Sequence, residues 1–447
     1  MSTPRGEFSS AFGFVMAAAG SAIGLGNIWG FPTQTAQNGG AAFVLIYVIL
    51  TFLVAYPVLM AEFTIGRYSR STPVGAYQKV EGGKSFVWVG FLGLLTVGFI
   101  LSFYSIIAGG MVAYFIEPVF RVLGMDDLAN WVIAQNEASN FLFMTMFFFL
   151  TILIVGGGIQ NGIEKWSTRF MPTLFFIIIL LVIYVLTLDG ASEGAAIYLL
   201  PDFNKIWEPK LIASALGQAF FSLSLGVGTM LVYGSYTSKK ENLVRLGGLV
   251  TLCDIGVAFV AGLLIIPAMY AAAQSGTEIF DAQGNLISGP NLIFQVLPSL
   301  FKSMGSAGIG AAFFFFFLMS IAALTSSISM LEVPVAYVID SRNTNRVKTA
   351  WLIGGIFWAV STVLVFNFDT LFNLVVTVTT EYSQPFLGLV IAIFVGWIVK
   401  RDTLLKELRQ GNPEVEDSLF FKIWPFFVKV ISPILILLIF LQSFLFS

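Results

Sequence analysis

Apolar residues run through this chain in long blocks separated by short polar connections. Blocks long enough to cross about 30 Å of hydrocarbon fall at 10–34, 40–66, 86–119, 139–157, 166–188, 211–237, 246–274, 305–339, 347–367, 371–399 and 421–446. The pattern predicts eleven helical spans. A transmembrane barrel would instead alternate over strands of about 10 residues, and no such alternation is present. The connection 275–304, with Pro290 and Pro298, reads as a re-entrant or capping loop, and 400–418 is short and polar.

Two blocks are interrupted. In SAFGFVMAAAGSAIGLGNIWGFPTQ (10–34), Gly20, Gly24, Gly26 and Gly30 precede Pro32. A glycine costs about 1 kcal/mol in a helix interior relative to alanine, so several together argue against continuous helix. Backbone freed by a break cannot face lipid. Its carbonyls can hold a small cation, and its N–H groups an anion. A kinked helix with small residues for close packing is the other reading of this stretch alone. The sixth block, GQAFFSLSLGVGTMLVYGSY (217–236), is broken by Ser222, Ser224, Gly226 and Gly228. An odd number of spans, five, separates the breaks, so the two halves enter the membrane in opposite senses. Paired interruptions of this kind point to an inverted-repeat transporter site. Spans one to five (10–188) and six to ten (211–399) are then the repeats of one transmembrane domain, with 421–446 an addition.

Composition narrows the class. The 447 residues are 57% hydrophobic and 11% charged, against about 25% charged in soluble domains. The chain reads as an all-α polytopic membrane protein. A net charge of −2 gives nucleic acid no foothold. Cys253 is the sole cysteine and histidine is absent, which removes an intrachain disulfide, a cysteine metal cluster and a histidine proton relay. An enzyme is not expected. MSTPRGEFSS offers no cleavable signal pattern. With the N-terminus in the cytoplasm, nineteen Lys and Arg fall on cytoplasmic connections and helix ends. Only Arg121, Lys205, Lys210 and Lys302 fall outside. This predicts a multi-pass plasma-membrane protein (a bacterial inner membrane), with its C-terminus on the extracellular or periplasmic side.

SAIGLGNIWGFP (21–32), NGGAAF (38–43), EFTIGR (62–67), FFSLSLGVG (220–228) and LTSSIS (324–329) together resemble the neurotransmitter:sodium symporters, above all their eleven-helix bacterial amino-acid members. The resemblance implies the leucine-transporter-like inverted-repeat fold and sodium-driven amino-acid uptake. It implies a first sodium site at Ala22, Asn27, Ser222 and Asp254, completed by the substrate carboxylate. A second lies at Gly20, Ile23, Ala322, Thr325 and Ser326, five neutral oxygens that suit Na⁺ better than a divalent ion. Read alone, Thr325–Ser327 would be interhelical hydrogen bonding. The implied substrate pocket comprises Ser21, Ala22, Gly24, Leu25, Gly26, Ile100, Tyr104, Phe221, Ser224, Val227, Ser326 and Met330. Tyr104 and first-span N–H groups would hold the carboxylate, and carbonyls at the breaks with Ser224 the ammonium. Gly24 stands where monoamine carriers of the family have Asp, which argues for an amino acid. Ile100, Phe221, Val227 and Met330 make the wall apolar and favour a hydrophobic side chain, and the small Val227 leaves room for a bulkier one.

Asp254 lies inside an apolar run and stands where the leucine transporter has Asn. An intramembrane carboxylate is a functional hypothesis by default. A fixed charge beside sodium predicts chloride independence; a protonated Asp in a structural hydrogen bond is the other reading. Other positions also depart from the family. Gly30 replaces the Arg of the usual outer gate, and the matching acidic position reads as Phe372, with Asp369 close by. Phe221 and Tyr104 closing over substrate beneath Phe372 would take its place. Ser21 replaces the usual Asn. At the cytoplasmic gate Arg5 would pair with Asp340 near Tyr236. Gly162 and Pro172 match a Gly–nine–Pro spacing at which the fifth span would unwind, unless Pro172 only marks a helix start. Glu332 and Glu381 carry no assigned role.

The expectation is a sodium-coupled amino-acid symporter, with Na⁺ at the two sites that the resemblance implies, working as a monomer or weak dimer in the bilayer. Spans one, two, six and seven would rock against a scaffold. A proton-coupled carrier and a non-transporting amino-acid sensor on the same fold are the alternatives.

Overall fold

The computed structural model describes residues 6–280, 286–287 and 292–445. Among the described residues, nine helices are long and apolar enough to cross a membrane. They are Ala41–Ser69, Gly83–Val122, Glu137–Gly156, Ile159–Val185, Leu243–Gln274, Gly305–Arg342, Arg346–Phe366, Phe368–Ile398 and Leu419–Leu438. Ahead of them stand Ala11–Ala22 and Gly26–Gln37, one passage bent by 54°. Pro209–Ser222 and Thr229–Ser235 form the sixth passage, also in two pieces. Counting each interrupted pair as one span gives the expected eleven.

Local chemistry sets the helix starts. Ser10 accepts from Gly13 N at 3.0 Å, opening the first span. Asn242 caps Arg245 N, and Asn345 caps Lys348 N, at 3.0 and 3.1 Å. Each satisfies an N–H that the first helical turn leaves without a partner. The third span runs past its apolar block to Val122, where Glu117 and Arg121 pair one turn apart.

The first span is the axis of the fold: Ala18, Ala19, Ile23 and Ile28 are all fully buried. A buried ion pair fastens the second span to the helix Arg401–Leu408. Arg67 Nε meets Glu407 Oε1 at 2.6 Å, and its other nitrogens reach the carbonyls of Glu407 and Glu241. The polar 400–418 connection thus contains a helix clamped by an arginine from within the core. The 275–304 connection contains a short apolar helix, Leu292–Lys302, whose Leu292, Ile293 and Val296 are buried. Tyr114 Oη donates to the Phe294 carbonyl at 3.1 Å. Pro290 lies outside the described residues.

The fifth span does not unwind at Pro172. Helix Lys165–Val185 carries that proline in its interior. The irregular backbone lies earlier, at Gly158 (φ +87°) and the wide turns of Ile159–Glu164, where Gly162 is buried. A proline removes one hydrogen bond, and neighbouring helices hold the remaining turns in place.

Candidate functional site

The two breaks face each other across the middle of the fold. In the first span the helix ends at Ala22, Ile23 turns extended (φ −75°, ψ 103°), and Gly26–Gly30 resumes in wide turns. In the sixth, Ser224, Gly226 and Gly228 all have positive φ, at 52°, 87° and 83°. Gly226 has no alternative residue: a Cβ there would stand 2.7 Å from the Gln384 carbonyl. Ser224 Oγ donates to the Ser21 carbonyl at 3.0 Å and ties the breaks together.

Freed backbone needs partners, and polar side chains from other spans supply them. Glu62, buried in the second span, accepts from Gly226 N at 2.7 Å and Leu231 N at 3.2 Å. Gln218 Nε2 donates to the Gly26 carbonyl at 2.7 Å. Gln384 Nε2 donates to the Leu225 carbonyl at 3.1 Å. Sequence reasoning gave none of these three a role. The available signal was a polar residue inside an apolar block.

Three of the residues expected at the first sodium site meet in a buried cluster. Asn27 Nδ2 donates to Asp254 Oδ1 at 2.7 Å and to Ser222 Oγ at 2.9 Å. Ser222 Oγ lies 2.9 Å from both Asp254 carboxylate oxygens. Tyr47, a fourth member that sequence reasoning missed, reaches Asp254 Oδ2 at 3.3 Å. Ala22 is buried at the adjacent helix end. Asp254 and Ser222 contribute a carboxylate and a hydroxyl oxygen to the cluster, while Asn27 turns its NH₂ into it and accepts from Gly24 N at 3.2 Å with its Oδ1.

The second expected set also converges. Ser326 Oγ stands 3.4 Å from the carbonyls of Gly20 and Ile23 and 3.2 Å from that of Ala322. Thr325 Oγ1 is 3.1 Å from the Ala322 carbonyl. Thr325 also approaches Gly20 so closely that a Cβ at residue 20 would sit 3.1 Å from its own.

Between these clusters is a cavity of about 40 Å³. Ala22, Gly24, Leu25 and Gly26 contribute from the first break, Phe221, Ser224 and Val227 from the sixth span. Ile100 and Tyr104 come from the third span, Ser326 and Met330 from the eighth. All belong to the expected substrate pocket; Gln384 is the one addition. Ser21 is the exception, since its hydroxyl donates to Ser329 Oγ at 2.7 Å and it does not line the cavity. At Gly24 a Cβ would stand 2.5 Å from Ser326 Oγ and 2.8 Å from Tyr104 Oη, so a side chain there would have to displace those hydroxyls. Leu25 N donates to Tyr104 Oη at 3.3 Å.

Tyr104, Phe221 and Gln384 also line a wider cavity of about 610 Å³, on the side away from the chain's N-terminal segment. Phe372, Gly30 and Glu381 line it too. Phe372 stacks on Phe368 at 4.4 Å and meets Phe103 edge-on at 5.9 Å. Phe221 is 36% exposed, so it does not seal the cavity over Tyr104. Gly30 faces Gln218, whose Oε1 would lie 3.5 Å from a Cβ at residue 30.

Arg5 lies outside the described residues, while Asp340 and Tyr236 line a cavity of about 740 Å³ at the N-terminal face. Tyr236 Oη donates to Glu332 Oε1 at 2.6 Å, and Arg346 pairs with the same carboxylate. Glu332 thus joins the sixth, eighth and ninth spans. Glu164 accepts from Ser9 N at 2.8 Å and Ser9 Oγ at 2.6 Å, and Arg70 pairs with Glu7. The segment from Gly6 to Ser10 is therefore latched across the bundle.

The Sodium:neurotransmitter symporter family matches residues 5–142 and 138–446. An uncharacterized sodium-dependent transporter of Bacillus subtilis is 36% identical over 98% of this chain and 97% of its own length. One of Haemophilus influenzae is 33% identical over 98% of both. The crystal structure of MhsT in complex with L-phenylalanine superposes with a TM-score of 0.85 at 35% identity, covering 98% of this chain and 100% of that one. The chain belongs to the sodium:neurotransmitter symporter family and is a sodium-dependent, multi-pass membrane transporter.

Proposed function

We propose that the protein imports a hydrophobic or aromatic amino acid together with sodium, without chloride, by alternating access. The observation that carries this reading is the small cavity between the two breaks, with Asp254 clustered beside it on Asn27 and Ser222. The substrate α-carboxylate would lie against Tyr104 and the first-break N–H groups, and its ammonium against break carbonyls and Ser224. Its side chain would meet Ile100, Phe221, Val227 and Met330. MhsT, the structural neighbour, holds L-phenylalanine.

Sodium would enter as co-substrate at two places: Ala22, Asn27, Ser222 and Asp254, and Gly20, Ile23, Ala322, Thr325 and Ser326. At the first place the Asp254 carboxylate supplies the negative charge that balances the ion. The N-terminus would be cytoplasmic, so the wide cavity beside Phe372 opens outward and the Tyr236–Glu332–Arg346 cluster closes the inward path. Residues 10–188 and 211–399 would be the inverted repeats, and 421–446 an added helix.

The test is uptake of labelled leucine, phenylalanine and tryptophan into proteoliposomes under an inward sodium gradient, with potassium for sodium and gluconate for chloride in parallel. Accumulation that needs sodium and ignores chloride supports the reading. Accumulation driven by a pH gradient without sodium, or binding without accumulation, overturns it.

A further inference from the structure

The tenth and eleventh spans and the helix Arg401–Leu408 frame a cavity of about 350 Å³ at the N-terminal face. Arg401, Lys422 and Lys429 line it, and among the described residues no acidic side chain does. The neighbouring acids have other partners or lie elsewhere. Glu407 pairs with Arg67, Glu416 with Arg409 and Glu81 with Lys400, while Asp402 and Asp417 do not line the cavity. Among the described residues none of the three cations forms an ion pair. The remaining side chains of the wall, Phe421, Trp424 and Phe426 among them, are apolar, and the Trp424 N–H already donates to the Pro57 carbonyl at 2.9 Å.

Lys429 stands about halfway along the apolar span Leu419–Leu438, at an exposed position. A charge at that depth is costly unless it reaches an anion or the interface, and marks a functional site by default. Its ammonium lies over the Trp397 ring, 4.7 Å from the centroid, and Trp397 Nε1 donates to the Lys429 carbonyl at 2.9 Å. Trp397 is one residue from the end of the tenth span, at the level where aromatic rings meet lipid headgroups. Arg401 lies over the Phe421 ring at 5.4 Å. Lys422, Phe426 and Lys429 follow one another at i, i+4 and i+7, so one face of the eleventh span carries two cations with an apolar ring between them. Phe426 is 56% exposed, and its ring is open to the bilayer.

We propose that this cavity binds the headgroup phosphate of an anionic glycerophospholipid, with Arg401, Lys422 and Lys429 as its charge partners and the Phe426 side of the eleventh span against its acyl chains. Three cations with no acid among them call for a net negative headgroup; the choline or ethanolamine of a zwitterionic lipid would bring a further cation. Free phosphate would gain nothing from the apolar wall or from the exposed Ile423 and Phe426. A second copy docking by two-fold symmetry would bring the same three cations to the same patch. Basic pockets between spans on the cytoplasmic side hold such headgroups, and the orientation proposed above puts this cavity there. The lipid would join the two spans to the Arg401–Leu408 helix, which Arg67 clamps to the second span. The site shares no residue with the substrate cavity and does not depend on what is transported.

The experiment uses the full chain purified in a neutral detergent and stripped of lipid. Phosphatidylglycerol and phosphatidylcholine of identical acyl chains are added separately, with inorganic phosphate as a third arm. Thermal melts and native mass spectrometry read each. Phosphatidylglycerol should raise the melting temperature by about 3 °C more than phosphatidylcholine, and one molecule per chain should stay bound; inorganic phosphate should do neither. Arg401→Gln combined with Lys422→Gln and Lys429→Gln should lose both effects. A matched variant at three exposed cations of the same face outside the cavity, Lys239→Gln with Lys240→Gln and Lys348→Gln, should keep them. If the cavity variant does not fold, Lys429→Gln alone should lose at least half of the shift and Lys429→Arg should keep it. Equal stabilisation by the two lipids in the wild type would overturn the inference, whether or not any variant folds. So would equal losses in the two triple variants, which would mean diffuse attraction to basic surface. Stabilisation by inorganic phosphate alone would give the site to a free anion. A lipid-free dimer that the cavity variant breaks would give it to a second copy.

Discussion

Asp254 and Asn27, 227 residues apart in sequence, are joined by a 2.7 Å hydrogen bond from Nδ2 to Oδ1 in a site closed to solvent. The bond brings a formal negative charge to the break in the first span. Asp254→Asn keeps the shape and removes the charge. Without a nearby carboxylate to offset it, a bound cation loses several kcal/mol of Coulomb attraction at the effective dielectric of a protein interior, on the order of 4 kcal/mol at 4 Å. Part of that is returned by sparing the desolvation of the carboxylate. The expected outcome is a rise of about tenfold or more in the sodium concentration for half-maximal uptake. A new stimulation by chloride, which can supply the missing charge, should accompany it. Sodium titrations with chloride or gluconate check both. Unchanged sodium dependence would show that the carboxylate has only a structural role.

Glu62 tests the same region from the other side. It accepts from two backbone N–H groups of the sixth-span break, Gly226 and Leu231. Glu62→Gln retains the size but offers one acceptor oxygen where two N–H groups point, and turns NH₂ donors toward one of them. A buried donor left unmatched costs about 1–3 kcal/mol. The variant should melt several degrees lower in detergent and lose most of its uptake, and added sodium and substrate should recover part of the melting temperature. A melting curve identical to wild type would mean that solvent or neighbouring groups satisfy the break without Glu62.

Much of the fold was legible in the sequence, because a membrane span announces itself by length and apolarity, and an interrupted one by clustered glycines. The groups that complete the breaks were not. Glu62, Gln218, Tyr47 and Gln384 are single polar residues in apolar blocks, and each finds its partner well over a hundred residues away. Spacing along one helix tells nothing about such partners. The third dimension supplies them. At the fifth span the helix runs through Pro172, and the irregular backbone at Gly158–Glu164 includes only Gly162 of the Gly–nine–Pro spacing. Glu332 had no legible role because its partners, Tyr236 and Arg346, come from other spans.

Two glycines should separate backbone necessity from packing convenience. Gly226→Ala must place a Cβ at positive φ and 2.7 Å from a backbone carbonyl, neither of which can yield cheaply. The left-handed conformation alone costs roughly 1–2 kcal/mol, and the clash adds to it. Gly256 lies within helix Leu243–Gln274 with no atom within 4 Å of its would-be Cβ. Gly256→Ala should raise the melting temperature slightly, since alanine is better in a helix by about 1 kcal/mol. The first variant should abolish uptake and the second preserve it. Thermal melts and uptake on the pair decide the matter, and equal effects would refute the argument.

Tyr236, Glu332 and Arg346 give a way to shift the conformational balance without touching the substrate cavity. The Tyr236 hydroxyl donates to Glu332, which Arg346 neutralises from the ninth span. Together they hold the sixth, eighth and ninth spans together at the N-terminal face. Tyr236→Phe removes one charge-assisted hydrogen bond, worth about 1.5–3 kcal/mol, and keeps the ring packed on Phe8 at 6.2 Å. If that bond exists only in the state closed at this face, its loss shifts the population toward the open state by roughly tenfold or more. Ser71, buried in the cavity at this face, reports the change. In a Cys253→Ser background, Ser71→Cys should react with a water-soluble maleimide about tenfold faster when Tyr236→Phe is added. High sodium and substrate should slow it again if they favour the closed state. A labelling rate that does not respond to Tyr236→Phe would mean that the latch of Gly6–Ser10 on Glu164 and Arg70 holds the face shut alone.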